Sequence, residues 1–330
     1  MPNDVFLDQK VMLMAANEAT YGADAAPQHT NSFQAIKLIE PWALNATQEF
    51  VEQVGGLNTR GMSRPIATVR PVSITFRTYL MGLESGSYTA NRKPPHADLL
   101  RACGAFETFV TSDANGRPRY TYAPGNDVGS DGSVTMVAHR DGYEHRFVGG
   151  RGNVNLIYGA AAPVIGEFTI QGQLTTEAST LRTGAPSVPT AIPPRWIGSG
   201  TVYVGSLQSV IEAFNFNTNN EVMAQRGSVA SSGSGIVAIY LTSRQPGGSL
   251  DPEASQPTSH DFWGAFRSSS GAAVRLQCGD TQSQRFTLVM SQTVYKALGW
   301  GNKTGLSVFN IDYQAYEHGS GDNEWSLVFD

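Results

Sequence analysis

The chain is poor in charge, poor in cysteine and without long apolar runs. Charged residues make up only 15% of its 330 positions, against about a quarter in an ordinary soluble domain. Low charge with many turn formers fits an all-β protein whose surface is largely covered by neighbours. The 28 acidic and 23 basic residues leave a formal net charge of -5. That balance argues against a protein whose main task is gripping nucleic acid, although not against one that lets nucleic acid pass. Two widely spaced cysteines, Cys103 and Cys278, form no disulfide framework and read as buried reduced thiols. The longest apolar stretch, around Ala160 to Ile165, is short and holds Pro163, so no transmembrane helix is expected. Met1-Pro2-Asn3-Asp4 begins neither a basic n-region nor an apolar core, so no signal peptide is expected.

What the chain does have is turn formers, 35 Gly and 17 Pro, and an internal echo. Phe50 to Val54, Arg60-Gly61 and the strand candidate Val72 to Phe76 are echoed by Phe216 to Val222, Arg226-Gly227 and Ile236 to Leu241. A short helix candidate follows each copy, His96 to Ala102 and then His260 to Phe266. A Phe-x-Ile strand closes each, Phe168-Thr169-Ile170 and then Phe309-Asn310-Ile311. The second copy lacks a piece corresponding to the Gly/Asp/Pro-rich stretch around Ser112 to Ser133, and loops tolerate such length changes. A duplicated β unit suggests a protein built for assembly rather than chemistry.

The segment from Val11 to Thr30 is rich in small residues and reads as an extended arm. Ile36 to Ile39 reads as a strand stopped by Pro41. From Trp42 to Pro71 runs a long, Gly-punctuated stretch carrying Glu49, Glu52, Arg60, Arg64 and Arg70, unusual in a compact domain unless functional. A two-stranded ribbon projecting from the body fits it. Leu99, Leu100 and Cys103 share one face of a short helix, with Gly104 as its stop. Alternation marks strands at Tyr120 to Tyr122, Ser133 to Val137, Asn153 to Tyr158 and Gly166 to Leu174, and Asp141-Gly142 signals a hairpin. Four prolines between Thr183 and Pro194 make a stiff linker, the best domain boundary.

Constellations that suggest chemistry have stronger structural readings. His139, Asp141, Glu144 and His145 straddle the Asp-Gly turn, which makes them side chains on an exposed hairpin tip rather than a metal site. Asp98 and Asp261 stand at helix entries, where capping explains them. Gly149-Gly150-Arg151-Gly152 precedes a strand, whereas a phosphate loop needs a helix after it, so close backbone packing or a bulge is the reading. No nucleophile elbow and no acid-base carboxylate pair are present.

Leu13 to Gly22, ending Glu18-Ala19-Thr20-Tyr21-Gly22 with Pro27 beyond, resembles the opening of many long-tailed bacteriophage tail tube (major tail) proteins of the siphophage type. Arg77 to Gly86, Pro95 to Gly104, Tyr120-x-Tyr122-x-Pro124, Ser133-Val134-Thr135 and Gly150 to Val154 continue the resemblance in order. It covers residues 11 to 175, while 200 to 330 carry little of it and rest on the internal echo.

The resemblance implies a mainly β chain of two tandem tail-tube-like β-sandwich or half-barrel domains, each with one short flanking helix. The expected division is an N-terminal arm plus first tube domain at 1–182, a Pro-rich linker at 183–199 and a second tube-like domain at 200–330. It implies a structural virion protein, not an enzyme, without cofactor or metal. Such a protein polymerises into stacked rings that form the conduit for double-stranded DNA ejection. DNA passes without specific binding, and the inner sheets of neighbours join around the bore. Tape measure, terminator and tail-tip proteins are the further partners, with the virion tail, and the host cytoplasm during assembly, as locations and no membrane involved. The duplication favours a homotrimeric, pseudo-hexameric ring over a homohexamer. Glu49, Glu52, Arg60 and Arg64, with Glu221 and Arg226 in the second copy, are the expected ring-stacking residues. The competing readings are a head–tail connector or tail terminator, and a β-sandwich carbohydrate-binding or hydrolytic protein.

Overall fold

The computed structural model describes residues 7, 10–27, 35–51, 65–125, 132–159, 162–179, 187–194, 200–227, 235–270, 272–319 and 321–330. The structure is mainly β. The first half contains β1 (Val11–Asn17), β2 (Ala43–Ala46), β3 (Phe50–Val51), β4 (Ile66–Ala67) and β5 (Val72–Tyr79). Then come α1 (Ala97–Ala102), β6 (Ala105–Val110), β7 (Arg119–Pro124), β8 (Val134–Arg140), β9 (Tyr143–Gly159) and β10 (Ile165–Ser179). The second half contains β11 (Thr201–Val204), β12 (Leu207–Ser209), β13 (Ala213–Asn217), β14 (Asn220–Arg226), β15 (Ile236–Arg244) and β16 (Gly247–Leu250). It continues with α2 (Phe262–Ser268), β17 (Ala272–Cys278), β18 (Phe286–Lys303), β19 (Leu306–Ala315) and β20 (Ser326–Phe329).

Strand pairing exposes the duplication more clearly than sequence does. The first half is ordered β1-β8-β9-β10-β5-β2, the second β11-β17-β18-β19-β16-β13, all antiparallel. Each half inserts a separate two-stranded ribbon after its second equivalent strand, β3-β4 in one and β14-β15 in the other. Each carries its helix between the fifth-strand equivalent and the next long hairpin. Hairpin β6-β7 occurs in the first half alone and supplies the extra length expected there. The helices and the Phe-x-Ile strands fall where the echo puts them. Its early register does not hold: Val72–Phe76 lies in β5, whose partner by topology is β16, while Ile236–Leu241 lies in the ribbon strand β15. Val72–Phe76 alternates apolar and polar residues and Ile236–Leu241 is a continuous apolar run; both read as β, and strand character alone does not say which strand of a sheet a segment becomes.

One sheet runs through both halves. Strand β13 continues it onto β9, from Ala213 opposite Gly159 to Asn217 opposite Asn155. The C-terminal strand β20 pairs with both β18 and β7, bringing Phe329 of the second half against Tyr120 and Phe286. A single apolar cluster accordingly contains Leu13, Phe76 and Phe168 together with Phe216, Phe262, Phe309 and Phe329.

Local chemistry explains the turns. Asp141 (φ 44°) and Gly142 (φ 95°) are both left-handed, as the tight turn joining β8 to β9 requires. Asp261 caps α2 by accepting from the Gly264 amide at 2.8 Å. Asp98 does not cap α1; it accepts from the Asn17 amide at 3.3 Å, tying the helix to β1, and burial raises its carboxyl above the usual range. The expected arm is also different. Val11–Asn17 is a strand with buried Met12, Leu13 and Met14, paired along its length with β8. Ile36 to Ile39 is not a strand: its backbone forms an isolated bridge, Leu38 to Thr78, and the Ile36 amide donates to the Leu13 carbonyl at 2.8 Å. Pro189 to Pro194 carries no strand or helix, and Ala191 is buried.

Candidate assembly surfaces

Alternation gives the large sheet one apolar face and one polar face, and the pairing register lines up the polar residues across both halves. One row reads Arg77, Glu167, Asn155, Asn217, Gly247 and Gln314, each opposite the next. A parallel row reads Ile157, Asn215, Ser249, Asp312 and Ala297. A third joins Thr75 to Thr169, whose hydroxyls are 3.2 Å apart, and to Asn153. Amides and hydroxyls dominate these rows. Their charges are Arg77, paired with Glu167 at 2.5 Å, and Asp312. Within these rows acidic side chains exceed basic ones by one. The strand Val72–Phe76 contributes Ser73 and Thr75 to the polar face through β5, while Ile236–Leu241 does not belong to this sheet.

The two ribbons lie against each other. Arg226, at the end of β14, forms a bidentate pair with Glu49, just before β3, with both nitrogen–oxygen distances 2.7 Å. Beneath it Val69 packs with Ile236 and Ile239, flanked by Val222 and Ala224. Both members of the ion pair are substantially exposed, so it is worth about 1 kcal/mol or less and mainly sets orientation. Glu221 accepts from the Ser243 hydroxyl across the β14-β15 ribbon at 2.7 Å. Of the expected stacking residues the structure thus brings Glu49 and Arg226 together and holds Glu221 within its own ribbon. Glu52, Arg60 and Arg64 lie outside the described residues.

The β14-β15 ribbon also docks on the first half. Arg151 donates to the Ile239 carbonyl at 2.9 Å and Gln173 to the Val237 carbonyl at 3.1 Å. Asn220 donates to the Cys103 carbonyl at 2.8 Å, at the end of α1. The β3-β4 ribbon presents Phe50, Val51 and Ile66 to solvent, each half or more exposed.

The Glu-x-Thr-Tyr-Gly segment has a physical role that sequence reasoning missed. Glu18 is buried, and its carboxylate accepts from the Ser133 and Thr135 hydroxyls and from the Gly22 and Gly149 amides. It thereby joins β1 to β8 and β9. Three residues on, the Tyr21 ring stacks under the Arg151 guanidinium at 4.9 Å, and its oxygen accepts from the Ile239 amide at 2.6 Å. Burial pushes that hydroxyl above its ordinary range. The glycines of Gly149-Gly150-Arg151-Gly152 follow from the same crowding. A Cβ on Gly149 would strike the Tyr21 ring, and one on Gly152 would overlap the Thr169 carbonyl. The β8-β9 ladder slips between Val134 and Met136, so close packing and a bulge are both present.

His139 and Glu144 face each other across the β8-β9 hairpin at 3.4 Å and are both buried, so these two side chains do not sit on an exposed tip as expected. Among the described residues no three His, Cys, Asp or Glu side chains are grouped to hold a metal ion. Cys103 and Cys278 are both buried free thiols; burial drives Cys103 far up and pushes Cys278 up to about 12.

Among the strand edges left unpaired in the described residues are those of β2 and of the C-terminal part of β18. Strand β2 pairs with β5 on one side and with nothing on the other. Strand β18 pairs with β19 from Thr293 to Lys303, but β17 covers its opposite edge only up to Thr293. Trp300, on the uncovered stretch, is 64% exposed.

A search of curated proteins returned no match. The family model of the phage tail tube protein matches residues 9–295, across both halves. A mainly antiparallel β chain with a continuous polar face accords with a match of that extent, and the chain belongs to the phage tail tube protein family.

Proposed function

We propose that this structural tail protein closes into rings of three chains, and that the rings stack into the tube through which double-stranded DNA leaves the virion. The observation that carries the reading is the repetition of one strand order in both halves of a single sheet. Three chains supply six such units, and closed rotational symmetry then gives a pseudo-sixfold ring. In this reading 1–182 and 200–330 act as the two tube domains with 183–199 between them. The polar face lines the bore. Duplex DNA carries one negative charge per about 1.7 Å, so a basic wall would hold it through salt-sensitive contacts, and amide and hydroxyl rows with a slight acidic excess would not.

Ring stacking falls to the paired ribbons, with Glu49, Glu52, Arg60, Arg64, Glu221 and Arg226 as the contact residues. The Glu49–Arg226 pair supports this by tying the ribbon roots into one unit. Tape measure, terminator and tail-tip proteins would bind the finished tube, after assembly in the host cytoplasm. Native mass spectrometry of one ring tests the stoichiometry: three chains are expected, and six identical chains would refute it. Deletion of residues 57–63 should leave soluble subunits that fail to form tubes, and tubes of normal length would remove the ribbon from stacking.

A further inference from the structure

The junction between the two halves of one chain is a template for the junction between chains. It places the edge strand of one half, β13, against the C-terminal part of the long strand of the other, β9. The same two elements exist a second time, as β2 and the C-terminal part of β18, and both are unpaired among the described residues. Given that the chain assembles into rings, we propose that β2 of one protomer adds antiparallel to β18 of a second copy of this chain, in the register copied from β13 and β9.

The register follows from the pairing ladders. Val154 sits opposite Phe168 and Trp300 opposite Phe309, the two Phe-x-Ile strands, so Ile157 corresponds to Lys303. Ile74 pairs with Ile170 and Leu250 with Ile311, so Leu44, opposite Ile74, corresponds to Phe214, opposite Leu250. Asn215 faces Ile157 within the chain. Asn45 therefore faces Lys303 of the second copy, and Ala46 faces Asn302.

Hydrogen-bonding direction agrees. The Thr47 amide donates inward to the Pro71 carbonyl at 3.1 Å. Amides alternate along a strand, so those of Leu44 and Ala46 point to the open side, where the second copy would accept them. Exposed edges of this kind template pairing with another chain. The apolar surface also fits. Trp300 lies at the open edge of β18, and Phe50, Val51 and Ile66 are exposed on β3-β4. Ribbon β14-β15 crosses from its own half onto the preceding one, contacting β9 and the end of α1. The β3-β4 ribbon placed by the same operation crosses onto the second half of the neighbouring copy.

Cysteine cross-linking of the full-length protein tests the register. The Thr218 amide donates to the Val154 carbonyl, which makes Asn215–Ile157, and hence Asn45–Lys303, a non-hydrogen-bonded pair of short Cα separation. The double variant Asn45→Cys/Lys303→Cys, assembled and oxidised, should give dimers and trimers on non-reducing gels. Ala43→Cys/Lys303→Cys, two residues out of register on the same face, should not, because about 7 Å of slip exceeds disulfide reach. Cys103 and Cys278 are buried and stay silent. Ala46→Pro, which removes only the outward amide, should give a folded monomer that forms no rings. Rings that assemble normally with Ala46→Pro, or that cross-link only out of register, overturn this junction and leave the ring reading intact. A wild-type protein that stays monomeric under all assembly conditions overturns both.

Discussion

Replacing Glu18 with alanine should be among the most damaging single changes in the first half, and the structure says by how much. The carboxylate is 6% exposed and accepts four hydrogen bonds. One oxygen takes the Thr135 hydroxyl at 2.9 Å and the Gly149 amide at 2.8 Å; the other takes the Ser133 hydroxyl at 2.6 Å and the Gly22 amide at 2.8 Å. After truncation the two hydroxyls can rotate to other acceptors and half-buried Gly22 can reach water. The buried Gly149 amide has neither outlet. A buried donor left unmade costs about 1–3 kcal/mol, and bonds to a charged acceptor are worth about 1.5–3 kcal/mol each, so a loss of about 3–5 kcal/mol is expected. That is a large share of the roughly 5–15 kcal/mol that holds a typical fold together. Glu18→Gln keeps one oxygen and sets an NH2 group against the Gly22 amide, so its loss should be smaller, about 1–3 kcal/mol. Guanidinium unfolding of unassembled subunit, followed by tryptophan fluorescence and far-UV circular dichroism, measures both. A loss under about 1 kcal/mol for Glu18→Ala, or a Gln variant worse than the Ala variant, would refute the argument.

Tyr21→Phe removes the acceptor of the Ile239 amide while leaving a ring under Arg151, so it should cost about 1–2 kcal/mol and speed amide exchange at Ile239. His96 is buried with its Nε2 2.9 Å from the Tyr79 carbonyl, and burial lowers its pKa to about 4. The unfolded chain therefore binds the extra proton first as pH falls, and stability should drop by about 3 kcal/mol between pH 6.5 and 4. His96→Gln should lack that component, and an equal pH slope in both proteins would contradict it. Cys103 and Cys278 should resist an aromatic disulfide reagent in the folded protein and react fully in denaturant; rapid native labelling would show that one of them opens.

Sequence alone determined the mainly β fold class, the short helices, the Asp141-Gly142 hairpin and the crowded glycines of Gly149 to Gly152. These rest on local causes: alternation, left-handed turn geometry and the space a side chain needs. The extra hairpin of the first half was legible as missing length in the second. Only tertiary structure decided which segments are equivalent, because β5 and β15 both read as strands in sequence while pairing in different sheets. It also decided that Val11–Asn17 is a buried strand rather than an arm, since Met12 to Met14 find their apolar partners in β8 and beyond, far along the chain. In sequence Glu18 is legible only as part of a motif; Ser133, Thr135 and Gly149 from distant segments, with nearby Gly22, make it a buried hub. Glu49 and Arg226 each read as a ribbon charge; that they meet depends on how two ribbons 170-odd positions apart are laid side by side. Long-range pairing of this kind is set by the packing of the whole sheet, which no local window of sequence contains.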